Sequence, residues 1–328
     1  MSLLDQYLLW PELLREGFSR GLEKRVDVRR AERILVCGMG GSGAAGDLAL
    51  LVARIYGSRV SIDVVKDFSV GFETRDYDLA LAVSYSGNTI ETISCLSEAL
   101  AGGVKAAVLS SGGLLREIAE RRGLPWIPLR SGLKPRAALP AMLGAILGVL
   151  ASTDCLRLSE EEVESATARL ERVSVEEARA YAEAIAESSI VTIASTRDVS
   201  ALAERWRSEI AENSKKVAKV EVYPESAHND LNSWLFFKAP ASFIVIEGWS
   251  EYSREALRIA SRVFKQVGRT LQVSVEKSLA GVLETSLLAG YSTVLAAQAL
   301  GLDPAATPAI DAYRGELEKL WRARRSGL

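Results

Sequence analysis

The sequence predicts an α/β protein with two doubly wound parallel sheets, one in each half of the chain. Short apolar runs rich in Val and Ile alternate with segments of helical periodicity, which is typical of buried parallel strands joined by helices. The alternation occurs twice, with strands starting near positions 34, 60, 79 and 106 and again near 190, 220, 242 and 271. The 328 residues are enough for two domains of ordinary size.

Five strands and their connecting helices are predicted in the first half. The predicted strands are Arg33–Cys37, Val60–Val65, Leu79–Ser84, Ala106–Ser110 and Pro125–Leu129, and the predicted helices are Ala44–Tyr56, Thr89–Ala101 and Gly113–Arg122. A further segment, Ala137–Ala151, is apolar throughout and too short to span a bilayer, so we expect a buried helix there. Together these segments predict a parallel sheet flanked by helices.

The second half repeats this order after a short polar connection. The predicted strands are Ile190–Ser195, Val220–Tyr223, Ser242–Glu247 and Leu271–Val275, and the predicted helices are Val199–Ser214, Tyr252–Val267 and Pro308–Arg324. Ser159 and Glu162 have the spacing of a capping box, which predicts a helix start between the halves. We therefore place the first domain at residues 1–155 and the second at residues 156–328.

A glycine-rich loop, running from Gly38 to Gly46, follows the first predicted strand and leads into a helix. Glycines let the backbone approach a ligand closely, and the N–H groups at a helix start favour an anion, so the loop is predicted to bind phosphate. Gly40 and Gly43, together with Gly38, also satisfy the dinucleotide-binding fingerprint, with Asp63 in the place of the ribose-binding acid. The loop alone leaves both ligands open.

A hydroxyl-rich loop, Ser84-Tyr85-Ser86-Gly87-Asn88-Thr89, follows the third predicted strand. Its hydroxyl groups can donate several hydrogen bonds to one compact dianion. The alternative is that Ser84 and Thr89 serve only as turn and N-cap residues. Since neighbouring strand ends meet at one edge of the sheet, we favour a single phosphate site formed by both loops. A dinucleotide fold has no need of such a second loop.

The two loops resemble those of the sugar isomerase (SIS) domain, which carries Gly-Gly-Ser-Gly after its first strand and Ser-x-Ser-Gly-x-Thr after its third. The tandem arrangement resembles the phosphoglucose isomerase superfamily. Over the whole chain, the sequence is most similar to the bifunctional phosphoglucose/phosphomannose isomerases of archaea. That resemblance implies two SIS domains and a sugar-phosphate substrate. It assigns phosphate binding to Gly41, Ser42, Ser84, Ser86 and Thr89, and substrate binding to Gly40.

The resemblance also implies residues for aldose–ketose isomerisation, which needs a base, a cation beside the enediolate and a group that opens the sugar ring. The family's Glu-Asn pair at a helix end matches Glu212 and Asn213. By pattern alone Glu212 would be a solvated helical glutamate sharing a face with Glu209. The Pro-Arg-x-Ala-Leu motif implies that Arg136 stabilises the enediolate, rather than only pairing with a neighbouring carboxylate.

Two further elements of the family pattern match only in part. The family has His-Asn-Glu where this chain has His-Asn-Asp, and the resemblance implies that His228, the single histidine, opens the ring in its own or a partner subunit's site. The family carries a threonine before its last helix and a lysine seven residues later. Thr307 is present, but the seventh residue after it is Arg314, which keeps the charge without the proton-transfer ability of lysine.

Composition restricts the remaining possibilities. The formal net charge of −2 argues against a nucleic-acid partner, which would need a basic face. The sequence shows no signal peptide and no predicted membrane span, so we expect a cytoplasmic protein with no membrane partner. Three scattered cysteines imply neither a disulfide framework nor a metal site. No cofactor and no metal are expected. Because SIS folds usually form dimers, the resemblance implies a homodimer.

The function predicted from these observations is the interconversion of glucose 6-phosphate, and of mannose 6-phosphate, with fructose 6-phosphate by proton transfer through an enediolate. One alternative is a non-catalytic SIS sensor of sugar phosphates, for which Glu212 and His228 would be dispensable. Another is an NAD-dependent dehydrogenase that uses the Gly38–Gly43 loop but leaves the Ser84–Thr89 loop unexplained.

Overall fold

The first half of the chain forms a five-stranded parallel sheet in a computed structural model, which describes residues 1–71 and 73–325. Its strands are β1 (Arg33–Cys37), β2 (Ser61–Val65), β3 (Leu79–Val83), β4 (Lys105–Ser110) and β5 (Trp126–Pro128). Their order across the sheet is β2-β1-β3-β4-β5, and each pair is parallel. The order reverses between β1 and β3, the position where open α/β sheets leave a crevice for a ligand.

The second half forms a four-stranded parallel sheet of β6 (Ile190–Thr196), β7 (Ala218–Tyr223), β8 (Ala241–Glu247) and β9 (Arg269–Ser274). The strand order β7-β6-β8-β9 repeats the order of the first four strands in the other sheet. The predicted fold class, with two doubly wound units, is confirmed. The boundary at residue 155 remains a prediction, and the last three residues of the proposed second domain lie outside the described residues.

Thirteen helices accompany the two sheets in the described part of the chain. They are α1 (Leu3–Leu8), α2 (Trp10–Glu23), α3 (Gly40–Ile55), α4 (Ile90–Ala101), α5 (Gly113–Arg122), α6 (Leu139–Ser152), α7 (Glu160–Leu170), α8 (Arg179–Glu187), α9 (Ser200–Glu209), α10 (Asp230–Trp234), α11 (Glu251–Val267), α12 (Leu279–Ala299) and α13 (Pro308–Arg325). The predicted capping box, in which Ser159 and Glu162 exchange hydrogen bonds, opens α7. A π-helical turn, Ile210–Ser214, extends α9.

The helix after β1 begins at Gly40, four residues before the predicted start at Ala44. Glycine has a low helix propensity, so the sequence suggested a loop where the structure has a first helical turn. Helices α1, α2, α8, α10 and α12 were not predicted. Helix α12 lacks a polar face because other helices surround it, and an amphipathic period is the signal on which the prediction depended.

Small residues let α2 and α6 pack at close range. A Cβ atom added to Gly17 would lie 2.3 Å from the carbonyl oxygen of Ala141, and one added to Gly148 would lie 2.3 Å from that of Phe18. Helix α6 is buried, as predicted for this segment. One apolar core extends from these helices to both sheets, so the two halves are packed as one body.

Helix α12 is long and apolar enough, with a mean hydropathy of 1.3, to be tested as a membrane span. However, 83% of the 18-residue window is buried inside the protein. The helix packs against α1, α7, α8 and α9, so its apolar surface is covered by protein.

The expectation that the cysteines imply no disulfide is wrong for one pair. Cys37, at the end of β1, is bonded to Cys95 on α4, with their Cα atoms 6.0 Å apart. The two residues are 58 positions apart, and only the packing of α4 on the sheet brings them together. Cys155 is buried and free.

Candidate active site

The two predicted phosphate loops lie side by side at the carboxyl ends of β1 and β3. Gly40 adopts a φ of +50°, which lets α3 begin directly after the strand. Ser42, in the first turn of α3, accepts a hydrogen bond from the Tyr85 N–H over 3.2 Å and donates one to the Met142 sulfur over 3.3 Å. The Ser42 side chain is therefore buried between the loops and joins them. The first N–H groups of an α-helix such as α3 have no carbonyl partner within the helix.

The second loop folds its hydroxyl groups around its own backbone. The Ser84 and Thr89 hydroxyl oxygens are 2.8 Å apart, and the Ser86 oxygen accepts from the Asn88 N–H over 3.2 Å. Gly87 has a φ of +72°, and a Cβ atom there would lie 1.8 Å from the Gly112 carbonyl oxygen. The loop therefore requires glycine at this position, and its hydroxyls and the start of α4 can donate to a compact anion.

Arg136 lies in the turn before α6, against the first phosphate loop. A Cβ atom on Gly41 would be 3.2 Å from the Pro135 carbonyl oxygen and 3.5 Å from the Arg136 Cα. The Arg136 side chain is only 4% exposed. Since a guanidinium keeps its charge in proteins, a nearly buried positive charge stands beside the phosphate loops.

Glu212 lies in the π-helical turn at the end of α9 and forms an ion pair with Arg136 over 3.1 Å. Its side chain is 27% exposed, so it reaches both the buried arginine and solvent. The structure thus brings Arg136, Glu212 and the first loop together, although they come from both halves of the chain. π-Helical turns are frequent at functional sites.

Lys215 adds a second cation beside Glu212. The backbone of Lys215 has a φ of +58°, and its ammonium donates to the Glu212 carbonyl over 2.6 Å and to the Pro304 carbonyl over 3.3 Å. Arg136 donates to the same Pro304 carbonyl over 2.7 Å. Burial, and then the Arg136 charge, lower the pKa of Lys215. No sequence pattern singles out Lys215 beyond its position after the Glu-Asn pair.

His228 is not next to Glu212 within one chain. Glu212 precedes the amino end of β7, whereas His228 lies in the turn Glu225–His228 after its carboxyl end. A six-residue strand is roughly 20 Å long, so the two residues lie beyond opposite ends of β7.

Thr307 and Arg314 lie at the start and the middle of α13. The Thr307 hydroxyl contacts the Asp311 carboxylate over 3.2 Å. Arg314 is exposed and forms no ion pair with any carboxylate in residues 1–71 or 73–325. The segment before them reaches the site through Pro304, whose carbonyl accepts from Arg136.

A buried polar layer behind Arg136 was not predicted as functional. It consists of Tyr7 on α1, Arg205 and Glu209 on α9, and Asn213. Burial raises the pKa of Glu209, against the opposing charge of Arg205, and burial raises the pKa of Tyr7 well above its ordinary value. The one available sequence signal was the three-residue spacing of Glu209 and Glu212, which puts both on one helix face.

The corresponding loops of the second sheet already hold an anion of their own. The Asp198 carboxylate follows β6 and accepts from the Trp249 N–H over 2.6 Å and from the Ser250 N–H over 3.1 Å, both after β8. Burial alone would raise the pKa of Asp198, but the hydrogen bonds from Thr196, Trp249 and Ser250 outweigh it and lower the pKa. The geometry therefore favours phosphate binding by the first sheet.

Within residues 1–71 and 73–325, no group of three or more His, Cys, Asp and Glu side chains is arranged to hold a metal ion. The candidate site instead combines N–H and hydroxyl donors, two cations and one carboxylate. Such a set can hold a phosphorylated substrate and transfer a proton beside a fixed positive charge.

Comparison with known proteins gives matches over nearly the whole chain. A family model for the bacterial phospho-glucose isomerase C-terminal SIS domain matches residues 174–317. A bifunctional phosphoglucose/phosphomannose isomerase of Aeropyrum pernix is 32% identical over 334 residues, covering 98% of this chain and 99% of that one. A protein of the same name from Pyrobaculum calidifontis is 30% identical over 322 residues, covering 96% of this chain and 100% of that one.

Two other matches are a relative with a different name and a solved structure. A D-glucosamine-6-phosphate 4-epimerase of Sulfolobus acidocaldarius is 29% identical over 301 residues, covering 90% of this chain and 92% of that one. The crystal structure of tagatose-6-phosphate ketose/aldose isomerase from Escherichia coli has a TM-score of 0.70 at 12% identity, covering 93% of this chain and 94% of that one. At that identity the structural similarity shows the fold alone.

Proposed function

This chain belongs to the family of bifunctional phosphoglucose/phosphomannose isomerases, and we propose that it interconverts glucose 6-phosphate and mannose 6-phosphate with fructose 6-phosphate. The family resemblance inferred from the sequence motifs is confirmed by these relatives. The chain is therefore an aldose–ketose isomerase of sugar phosphates.

In the proposed mechanism, Glu212 removes the proton from C2 of the open-chain aldose and returns it to C1. The enediolate that forms carries negative charge, and Arg136 balances it. The 3.1 Å ion pair between Arg136 and Glu212 supports this pairing of roles, because a fixed charge in a mostly buried site acts on developing charge without reorganisation. Glucose and mannose 6-phosphates differ only at C2, so both give the same enediolate.

The proposed phosphate site is formed by the N–H groups of Gly40 and Gly41 with the hydroxyls of Ser84, Ser86 and Thr89. The amino ends of α3 and α4 add the positive ends of two helix dipoles. Ser42 has a more indirect part in this proposal, because its hydroxyl already bridges the two loops. The phosphate would then lie on the first-domain side of Arg136, with the sugar carbons toward Glu212.

We propose that His228 opens the sugar ring in the site of a partner subunit. The positions of His228 and Glu212 beyond opposite ends of β7 support an exchange between two chains rather than a site within one. A homodimer with two such sites follows from symmetry, since each chain would give one histidine and receive one.

Thr307 and Arg314 are proposed to act at the edge of the site. Thr307 would contact the substrate, and Arg314 would contribute charge, because an arginine cannot take over the proton transfer of a lysine. Lys215 supplies the nearer ammonium, with its nitrogen 3.3 Å from the carbonyl of Pro304 that also binds Arg136.

We expect a cytoplasmic enzyme without nucleic-acid or membrane partners. The balanced charge of the chain and the burial of α12 within the core support this expectation.

The Arg136–Glu212 ion pair beside the phosphate loops is the observation that carries the proposal. It is tested by incubating the purified protein with fructose 6-phosphate in EDTA, without added cofactor, and by identifying the sugar phosphates formed by NMR. We expect glucose 6-phosphate and mannose 6-phosphate, and a loss of at least about 100-fold in kcat for Glu212→Gln. Glu204→Gln is the matched control, since Glu204 is exposed on the same helix and paired with Arg207.

Other results would contradict the proposal in distinct ways. Glu212→Gln with nearly unchanged kcat would remove the base assignment. Binding of fructose 6-phosphate without turnover would favour a sensor. Turnover of glucosamine 6-phosphate at C4, with none of fructose 6-phosphate, would place the chain with the epimerase among its relatives.

A further inference from the structure

The buried carboxylate of Glu209 contacts Asn213 and Arg205, and both of these residues bind Arg136. Glu209 is 1% exposed and lies one helical turn before Glu212. One of its carboxylate oxygens accepts from Asn213 over 2.6 Å, and the other pairs with Arg205. Asn213 in turn accepts from the Nε of Arg136 over 2.5 Å, and Arg205 donates to the Arg136 carbonyl over 2.8 Å. Glu209 is therefore linked to the side chain and to the backbone of Arg136.

The orientation of the Asn213 amide follows from its neighbours. Its nitrogen lies 2.6 Å from the Glu209 carboxylate, 2.9 Å from the Thr293 oxygen and 3.2 Å from the Tyr7 oxygen. The Tyr7 and Thr293 hydroxyls donate their own protons, to Glu209 and to carbonyls of α12, so both oxygens are left to accept. A reversed amide would set two oxygens against each other and two donors against each other. Only the observed orientation presents a carbonyl oxygen to Arg136.

One terminal nitrogen of Arg136 faces Glu212, because the other two nitrogens of the guanidinium are hydrogen-bonded elsewhere. Its Nε binds Asn213, and one terminal nitrogen binds the Pro304 carbonyl over 2.7 Å. The remaining terminal nitrogen points at Glu212 over 3.1 Å. A planar guanidinium held at two of its three nitrogens has one direction left for the third.

We propose that Glu209 is a positioning residue for catalysis, which acts through Asn213 and Arg205 to aim Arg136 at Glu212 and at the enediolate. Tyr7 is its partner from the amino-terminal helix α1 and fixes the same carboxylate. This proposal rests on the proposed roles of Arg136 and Glu212. It adds two residues that touch no substrate, since both Tyr7 and Glu209 are buried behind the arginine.

The amino-terminal helix is thereby part of the active site. Gln6, beside Tyr7, accepts from the Lys134 N–H over 2.6 Å, in the turn that carries Arg136. Helix α1 therefore holds this turn through Gln6 and the carboxylate behind it through Tyr7.

The test compares two variants with a matched control in the full-length protein. Glu209→Gln keeps the shape of the side chain but removes its charge, and Tyr7→Phe removes only the hydroxyl. Tyr291→Phe is the control, because Tyr291 is 2% exposed and packs against Tyr7 but donates no hydrogen bond within residues 1–71 and 73–325. Each variant is measured for kcat, for KM with fructose 6-phosphate and for inhibition by inorganic phosphate.

A misaimed arginine impairs the transition state more than substrate binding. We expect Glu209→Gln to lower kcat by about ten- to a hundredfold and Tyr7→Phe by about three- to tenfold, as for small displacements of catalytic groups. KM and the phosphate inhibition constant should stay within about twofold, because the phosphate loops are untouched. Tyr291→Phe should keep the kcat of the parent enzyme.

The outcomes separate this inference from the proposed function. If Glu212→Gln abolishes activity while folded Glu209→Gln and Tyr7→Phe keep full kcat, the positioning role is refuted and the proposed base stands. Equal losses in Tyr7→Phe and Tyr291→Phe would also refute it, since they would reflect packing. If Glu209→Gln does not fold, the comparison of Tyr7→Phe with Tyr291→Phe decides. If Glu212→Gln keeps nearly full kcat, the base assignment fails, and the positioning role that rests on it is refuted as well.

Discussion

Asp198 is the side chain that distinguishes the second sheet from the first, which we propose binds the phosphate. Its carboxylate occupies the place between β6 and β8 that corresponds to the crevice between β1 and β3. Two backbone N–H groups that could bind a ligand bind this carboxylate instead, at 2.6 and 3.1 Å. A doubly wound sheet thus keeps its anion-binding geometry in the second half, but with an internal anion.

At the residue scale, Asp198→Asn should destabilise the protein near pH 7 by about 1 to 3 kcal/mol, as expected when hydrogen bonds to a charged group are lost. The folded-state pKa of Asp198 is lowered, so its contribution is complete above the unfolded value near about 4 and is lost as the pH falls through the folded value. In urea unfolding, the free-energy gap between parent and variant at pH 7 should therefore narrow as the pH falls below the unfolded value of about 4 and the Asp198 carboxylate becomes protonated.

Asp27→Asn is the control for this comparison, because Asp27 forms an exposed ion pair with Lys105 and such pairs contribute little. A gap for Asp198→Asn that does not narrow as the protein is acidified, or that matches the Asp27 control, would contradict the account.

Among the elements, β1 and α4 are the pair that carries the proposed phosphate site. The Gly38 loop leaves β1 and the Ser84–Thr89 loop enters α4, and the disulfide between Cys37 and Cys95 joins these two elements directly behind the loops. A covalent link here restricts the unfolded chain and also fixes the spacing of the two loops.

The element-scale prediction is that removal of this link lowers stability. A Cys37→Ala, Cys95→Ala double variant should lose about 2 to 4 kcal/mol in unfolding free energy, the range for a native disulfide. The measurement is a comparison of thermal melts of the double variant with those of the parent, recorded with and without dithiothreitol. The buried Cys155 carries no disulfide, so Cys155→Ala is the matched single-cysteine control. A parent melting temperature that stays the same after dithiothreitol has reduced the disulfide would contradict the prediction.

For the whole molecule, the main consequence of the fold is that His228 and Glu212 lie beyond opposite ends of β7. If His228 opens the sugar ring, as proposed, a complete site then needs two chains. If Glu212→Gln and His228→Ala chains are unfolded together and refolded, each hybrid dimer has one site with both native residues. About half of the dimers are hybrids, so activity should recover to about a quarter of the parent value.

Each variant refolded alone serves as the control for that mixture. Recovery no greater than the mean of the two separate variants would contradict the exchange of histidines, because every site would then carry one defect.

The fold was predicted well where local patterns determine it. Strand β1 and helix α5 have the predicted bounds, because apolar runs and helical periodicity are read directly from the sequence. Helix α12 was missed because it is surrounded by protein and has no polar face. The Cys37–Cys95 bond was missed because it depends on the packing of a helix on a sheet, which the spacing of the residues does not reveal.

The candidate site divides in the same way. The two loops of the proposed phosphate site could be located in the sequence, because their glycines and hydroxyls are grouped within six or nine consecutive residues. Glu212 and Arg136 depended on the family resemblance, since a single helical glutamate has no distinctive pattern. The layer of Tyr7, Glu209 and Asn213 could not be predicted, because Tyr7 and Glu209 are 202 positions apart in the chain.

The most direct test of the account is a crystal structure of the protein with bound fructose 6-phosphate. We expect the phosphate between Gly41 and the hydroxyls of Ser84, Ser86 and Thr89, and the Glu212 carboxylate within hydrogen-bonding reach of the C1 or C2 carbon, about 3 to 3.5 Å away. A phosphate bound at the loops of the second sheet, or a sugar whose C1 and C2 lie away from Glu212, would contradict it.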